Sequence, residues 1–170
     1  MKHMMPQILS LLFATLLLLP GCQSQQSEDY RGVPPIREDE DTSIERTDDL
    51  SLVLDLPKDR FEPGETFTAT ITLKNRSGEP LEIEASSSAL YKIHLMRPHR
   101  TDWQTFKTYP DAAAMVITPW TLPAGEERAF TPELTVAEDW PTHELIRVQA
   151  EINGLPEIKT AVDIEVVNQD

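Results

Sequence analysis

Cysteine is almost missing from this chain: one residue, Cys22, in 170. A lone thiol excludes an internal disulfide framework and any zinc site built on several cysteines. Basic residues are scarce as well. Fifteen Lys and Arg stand against 29 Asp and Glu, and the net charge of −14 argues against a nucleic-acid partner, whose phosphates need a Lys/Arg-rich surface. Long apolar runs are confined to the N-terminus, and 14 prolines disfavour a helical bundle, because proline inside a helix removes a hydrogen bond and clashes. No Gly-x-Ser-x-Gly elbow, phosphate-cradling glycine loop or Asp-x-Asp-x-Asp-Gly calcium loop occurs. The length fits one domain with a tail.

What is present begins at the N-terminus. Lys2 gives a positive start, and Ile8 to Leu19 is a 12-residue apolar stretch. A bilayer span takes about 20 residues, so this length suits the core of a signal peptide. The stretch ends in Leu19-Pro20-Gly21-Cys22. Those residues resemble the lipobox of bacterial lipoproteins: Leu, a tolerated residue, Gly or Ala, then Cys. The resemblance implies diacylglyceryl transfer to the Cys22 thiol, cleavage before Cys22 and acylation of the new amine. Two or more acyl chains, at about 0.8 kcal/mol per buried CH₂, hold a protein where one would be marginal. Gln23 follows; by the same resemblance, the lack of Asp there points to the outer membrane, facing the periplasm, in a Gram-negative cell. In a cell with one membrane the address is its outer face.

Residues 1–21 are thus expected to be removed, and residues 22–49 to form the lipidated Cys and an acidic flexible tether. Gln23 to Asp49 holds nine acids against Arg31, Arg37 and Arg46, with few large apolar residues. Such a stretch buries too little surface to offset the entropy of ordering. Flexible-chain statistics give it a reach of roughly 30 Å. The alternative to a spacer is an acidic docking segment at Arg37 and Glu38-Asp39-Glu40-Asp41.

From Leu50 the pattern acquires a period of two. Leu50, Leu52, Leu54 and Leu56 alternate with Ser51, Val53 and Asp55; Phe67, Ala69, Ile71 and Leu73 alternate with threonines. Leu81-Ile83, Tyr91-Ile93-Leu95, Phe130-Leu134-Val136, Ile146-Val148-Ala150-Ile152 and Ile158 to Val166 continue the theme. Only Asp111 to Met115 reads as a single helical turn. Pro63-Gly64-Glu65 and Pro123-Ala124-Gly125-Glu126 each precede a strand, and Asn75-Arg76-Ser77-Gly78 separates two strands at hairpin distance. Seven or eight short strands over residues 50–170 predict an all-β domain, an immunoglobulin-like antiparallel β-sandwich.

The run Phe61 to Ile83 (FEPGETFTATITLKNRSGEPLEI) resembles the bacterial intracellular proteinase inhibitor (BsuPI-type) family. That family shows a Pro-Gly-Glu turn, an alternating strand ending in Asn, a short Gly-containing turn and a next strand. Ser86 to Tyr91 matches its Ser-rich, aromatic-containing segment, Trp103 its Trp-bearing strand, and Leu122 to Glu126 its Leu-x-x-Gly-Glu turn. The resemblance spans residues 50–167. It implies the sandwich fold and inhibition of a subtilisin-type serine protease, which would need one exposed loop held rigidly in an extended form.

Candidate chemistry is thin. Ser86, Ser87 and Ser88 are candidate hydroxyls and His94, His99 and His143 candidate bases, but catalysis needs them convergent with a stabilising group. Three serines between two strands read as a polar turn, so neither enzymatic activity nor a cofactor is expected. His94 and Met96 share a strand face, with His99 and Met115 as further candidates; imidazole with thioether sulfur suits Cu(I), and copper handling is one alternative. The segment Arg97 to Tyr109 stands apart. In a domain with 20 acids and 11 bases it carries Arg97, Arg100 and Lys107 against Asp102, interleaved with Trp103, Phe106 and Tyr109. Arg, Trp and Tyr dominate interface energetics, and end loops carry binding function. Arg97, His99, Arg100, Trp103, Phe106 and Tyr109 are therefore the expected contact residues for a protein or glycan. The competing expectation is that Trp103 and Phe106 cover the end of the sandwich.

The expected protein is lipid-anchored in the cell envelope and carries a non-catalytic binding or assembly-support domain. Its partners are the membrane, through acyl chains on Cys22, and an envelope protein, which is a protease in the inhibitor alternative. Cys22→Ser is expected to release the protein from the membrane fraction. Unchanged membrane association without acyl incorporation would contradict the lipoprotein resemblance.

Overall fold

The computed structural model describes residues 41–168; the signal, Cys22 and residues 23–40 of the expected tether lie outside them. Among the described residues there are thirteen strands and no helix. They are β1 (Thr42–Arg46), β2 (Leu50–Asp55), β3 (Arg60–Phe61), β4 (Thr66–Thr68), β5 (Thr70–Asn75), β6 (Leu81–Ala85) and β7 (Tyr91–His99). β8 (Asp102–Tyr109), β9 (Thr118–Leu122), β10 (Glu127–Phe130), β11 (Glu133–Thr135), β12 (Leu145–Ile152) and β13 (Leu155–Val166) follow. A four-stranded sheet runs β1-β2-β5-β10, and a five-stranded sheet runs β3-β13-β12-β7-β8. Two-stranded sheets β11-β4 and β6-β9 complete the set.

The alternation decides which faces meet. Leu52, Leu54, Ile71 and Leu73 from the first sheet share one buried cluster with Ile93, Leu95, Ile146, Val148 and Ile164 from the second. The expected all-β sandwich is therefore what the chain forms. Its strands are more numerous than the seven or eight expected, partly because long strands are broken. The pairing Phe130↔Ile71 and the pairing Glu133↔Thr68 keep one register across the gap between β4 and β5. Pro132 has no N–H to give the ladder, and its carbonyl instead accepts from Ala69 N at 3.0 Å.

Three local expectations need correction. The folded region reaches back into the supposed tether: β1 pairs with β2 from Thr42↔Asp55 to Arg46↔Ser51. Its charged residues suit an edge strand, where charge discourages further pairing. Residues 111–117 contain no helical turn. And Asn75 to Gly78 closes no hairpin, since β5 pairs with β2 and β10 while β6 pairs with β9. That turn carries the chain from one sheet to another.

Asn75, 1% exposed, holds the crossing. Its Nδ2 donates to the carbonyls of Glu79 (2.8 Å), Leu122 (3.1 Å) and Pro123 (3.2 Å). Its Oδ1 accepts from Ser77 N at 3.0 Å and Ser77 Oγ at 2.7 Å. One amide thus ties the end of β5 to the turn before β6 and to the connection between β9 and β10. Asn75→Ala removes a buried amide with all of its bonds, including the buried one to the Leu122 carbonyl, and should cost about 3 kcal/mol. The expected result is a lower urea midpoint at unchanged m-value.

Candidate functional site

β7 and β8 form an antiparallel hairpin whose last pair is His99↔Asp102, leaving Arg100 and Thr101 as a two-residue turn. Arg100 sits at φ 56. Leu95 is the last buried residue of β7, and nothing from Met96 to Thr105 is buried. The two arms therefore overhang the core by four residues of β7, or about 13 Å at the rise of a strand. The expected end loop is in fact a strand-built arm.

Within it the six expected contact residues separate. A register shift between Leu95 and Met96 leaves Phe106 unpaired on β8, and such a bulge bends and twists the strand. Phe106 turns toward the core and meets Trp140 edge-on at 6.3 Å; Tyr109 also packs against the core. Trp103 is paired with Pro98 and lies beneath the Arg147 guanidinium, 4.0 Å from its ring centroid. Arg147 in turn forks onto Asp163 at 2.7 and 2.9 Å. Arg97, His99 and Arg100 are exposed. They remain together at the free end of the arm, while Phe106 and Tyr109 belong to the sandwich.

The outward face of the five-stranded sheet holds a charged cluster around Glu151, whose side chain is 12% exposed. Lys159 Nζ lies 3.1 Å from it, His94 Nε2 3.4 Å and Lys92 Nζ 3.6 Å. Burial pushes the Glu151 pKa up, but hydrogen bonds from Lys159 and His94 and their charges outweigh it and hold the group below its ordinary value. His94 Nδ1 is 3.1 Å from Thr108 Oγ1, so both ring nitrogens have protein partners. His99, five residues further along β7 and so about 16 Å away, cannot join His94 on one metal. No group of three His, Cys, Asp or Glu residues fit to hold a metal occurs among the described residues.

The serines have structural employment. Asn153 Oδ1 accepts from Ser86 N and Oγ, and Asn153 Nδ2 donates to Ser87 Oγ at 2.9 Å and Ala89 O at 2.8 Å. Asn153 heads the two-residue Asn-Gly turn of the β12–β13 hairpin, a signal legible in the sequence alone. Gly154, at φ +102, packs so closely that an added Cβ would lie 2.7 Å from Glu84 O. Ser88 binds Ala114 twice: Ser88 N donates to Ala114 O, and Ala114 N donates to Ser88 Oγ, each at 2.9 Å. Those bonds fix an irregular segment, residues 111–117, exposed throughout. Met115 is 91% exposed, Ile117 69% and Val116 51%.

One cluster could not be read from spacing. Trp120, Phe130 and Tyr91 come from β9, β10 and β7; Phe130 meets Tyr91 at a tilt at 5.4 Å and Trp120 edge-on at 6.3 Å. Arg128 lies over Trp120 and Phe130 at 4.9 and 5.3 Å. The residues meet only because their strands do.

The chain is similar in structure to Spo0M, a sporulation control protein from Bacillus subtilis, with a TM-score of 0.55 at 20% identity; the match covers 72% of this chain and 51% of that one. This chain therefore spans about half the length of Spo0M, and at that identity the likeness shows the fold alone. It is also similar to part of a β-glucosidase from Listeria innocua solved with gluconolactone (TM-score 0.43, 20% identity, 69% of this chain, 16% of that one). A cycloisomaltooligosaccharide glucanotransferase from Paenibacillus sp. aligns at TM-score 0.44 and 13% identity, over 67% of this chain and 13% of that one. No family model and no curated protein matches the chain. The class defined here is an all-β immunoglobulin-like sandwich.

The Glu151 cluster makes a pH prediction. A carboxylate whose folded pKa lies below its ordinary value of 4.5 contributes stability that is present above that value and lost as pH falls through the folded pKa. Wild type should therefore lose stability on acidification below about pH 4.5, and the gap between it and Glu151→Gln should narrow. Urea midpoints at neutral and acid pH measure this; a gap that widens on acidification contradicts the assignment.

Proposed function

We propose that this chain is a lipid-anchored envelope protein whose sandwich is a non-catalytic binding module, docking an acidic protein partner through the tip of the β7–β8 arm. One observation carries the reading. Among the 11 bases of residues 50–170, Lys58, Arg60, Lys74, Lys92, Lys107, Arg147 and Lys159 each pair with a carboxylate. Arg76 donates to a backbone carbonyl, and Arg128 lies on aromatic rings. That leaves Arg97 and Arg100, which have no partner among the described residues, both on the overhanging arm; Arg46 of β1 has none either, but it stands among Glu45, Asp48 and Asp49.

In a domain with 20 acids, two unpaired arginines beyond the core leave a positive tip on a negative body. Such a tip orients an approaching acidic surface and speeds encounter, and salt weakens it. Trp103 lies next to the tip but stays beneath Arg147, so the arm offers charge first and apolar area second. The acyl anchor on Cys22 would hold the module at the membrane, where an envelope partner meets it.

Crosslinking in cells, with captured proteins identified by mass spectrometry, tests the reading. Arg97→Glu with Arg100→Glu lies outside the core and should leave stability unchanged, while weakening capture of an acidic partner by about tenfold. The wild-type capture should also fall with added salt. Capture that survives both charge reversals and high salt would remove the arm from the contact.

A further inference from the structure

We propose that residues 111–117 form a second membrane contact, dipping into the interfacial layer of the bilayer to which Cys22 is anchored. The proposal rests on the lipid-anchor reading. Met115, Val116 and Ile117 are the largest run of exposed apolar side chains among the described residues. Ala112, Ala113 and Ala114 precede them, so no charge occurs from residue 112 to 117. Asp111, at the edge, is 3.9 Å from Lys107 and carries little net charge into the contact.

Two further features favour a lipid surface over water. A segment entering an apolar medium must have its backbone groups already bonded. Both polar groups of Ala114 are bonded to Ser88, and Val116 N donates to Ala114 O at 2.9 Å. The apolar side chains therefore project from a backbone already partly satisfied. Geometry also permits the contact. Residues 22–41 span at most about 65 Å in any conformation, while a body of this length has a radius of gyration of about 14 Å. Every face of the sandwich is therefore within reach of the bilayer, and the apolar segment selects which face turns to it. A short irregular segment enters shallowly. It orients the domain rather than anchoring it.

Cys22 is the sole cysteine and its sulfur is blocked once acylated, so Met115→Cys gives the mature lipoprotein one free thiol for an environment-sensitive fluorophore. Reconstituted into neutral phosphatidylcholine vesicles, the label should shift to the blue and be quenched by lipids with spin labels near the headgroup. The same label at Gln104→Cys, on the exposed arm, should remain aqueous. Aqueous emission at position 115 on protein whose Cys22 is acylated overturns the proposal. If the wild type then inhibits subtilisin stoichiometrically and Met115→Asp does not, the segment belongs to a protease instead. An unacylated Cys22, read by mass on the same sample, defeats the anchor reading first and the proposal with it. Both substituted positions are exposed, so folding does not confound the comparison.

Discussion

Without a disulfide, the burial of two alternating faces against each other must hold this domain. β2 and β5 present Leu52, Leu54, Ile71 and Leu73; β7, β12 and β13 answer with Ile93, Leu95, Ile146, Val148 and Ile164. Each strand commits one face to the core, so a slip by one residue would expose every buried side chain at once. The remaining connections hang on this packing. Where they leave it, side-chain amides take over: Asn75 binds the crossing between sheets and Asn153 binds the serine turn. Both are buried, which raises the cost of leaving either unbonded.

That division of labour explains where function can reside. The core and its amide ties account for the serines and most of the aromatic residues. What they leave over is a protruding arm and an apolar segment. The arm overhangs because its buried residues stop at Leu95, and its cations stay unpaired because no acid of the body reaches them. The segment at 111–117 is tied to Ser88 only at Ala114, and the side chains that follow project away. Charge and apolar surface thus lie on separate parts of the domain, which suits contact with two different surfaces.

The candidate site was legible only in part. Arg97, His99 and Arg100 stand out in an acidic sequence because their type is rare there. Phe106 and Tyr109 look equivalent to them in a linear reading, yet a bulge turns Phe106 to Trp140, and Tyr109 packs against the core. The bulge breaks the period of two across β8, so alternation could not reveal that strand. β1 was hidden differently: Thr42 to Arg46 lacks an apolar face and is a strand only because β2 offers it an edge. Exposure of Met115 is likewise invisible in composition, since a methionine between Ala114 and Val116 suits a core equally well.

By itself the sequence determined the class of the fold, through alternation at a spacing that only paired sheets can bury. It also determined where turns fall, because Pro-Gly and Asn-Gly restrict the backbone locally. Tertiary structure alone decided which strands pair, since hydrogen bonds between strands far apart in the chain leave no local trace. It decided, too, which arginines are neutralised. An ion pair depends on which residues adjacent strands place side by side, and only folding sets that.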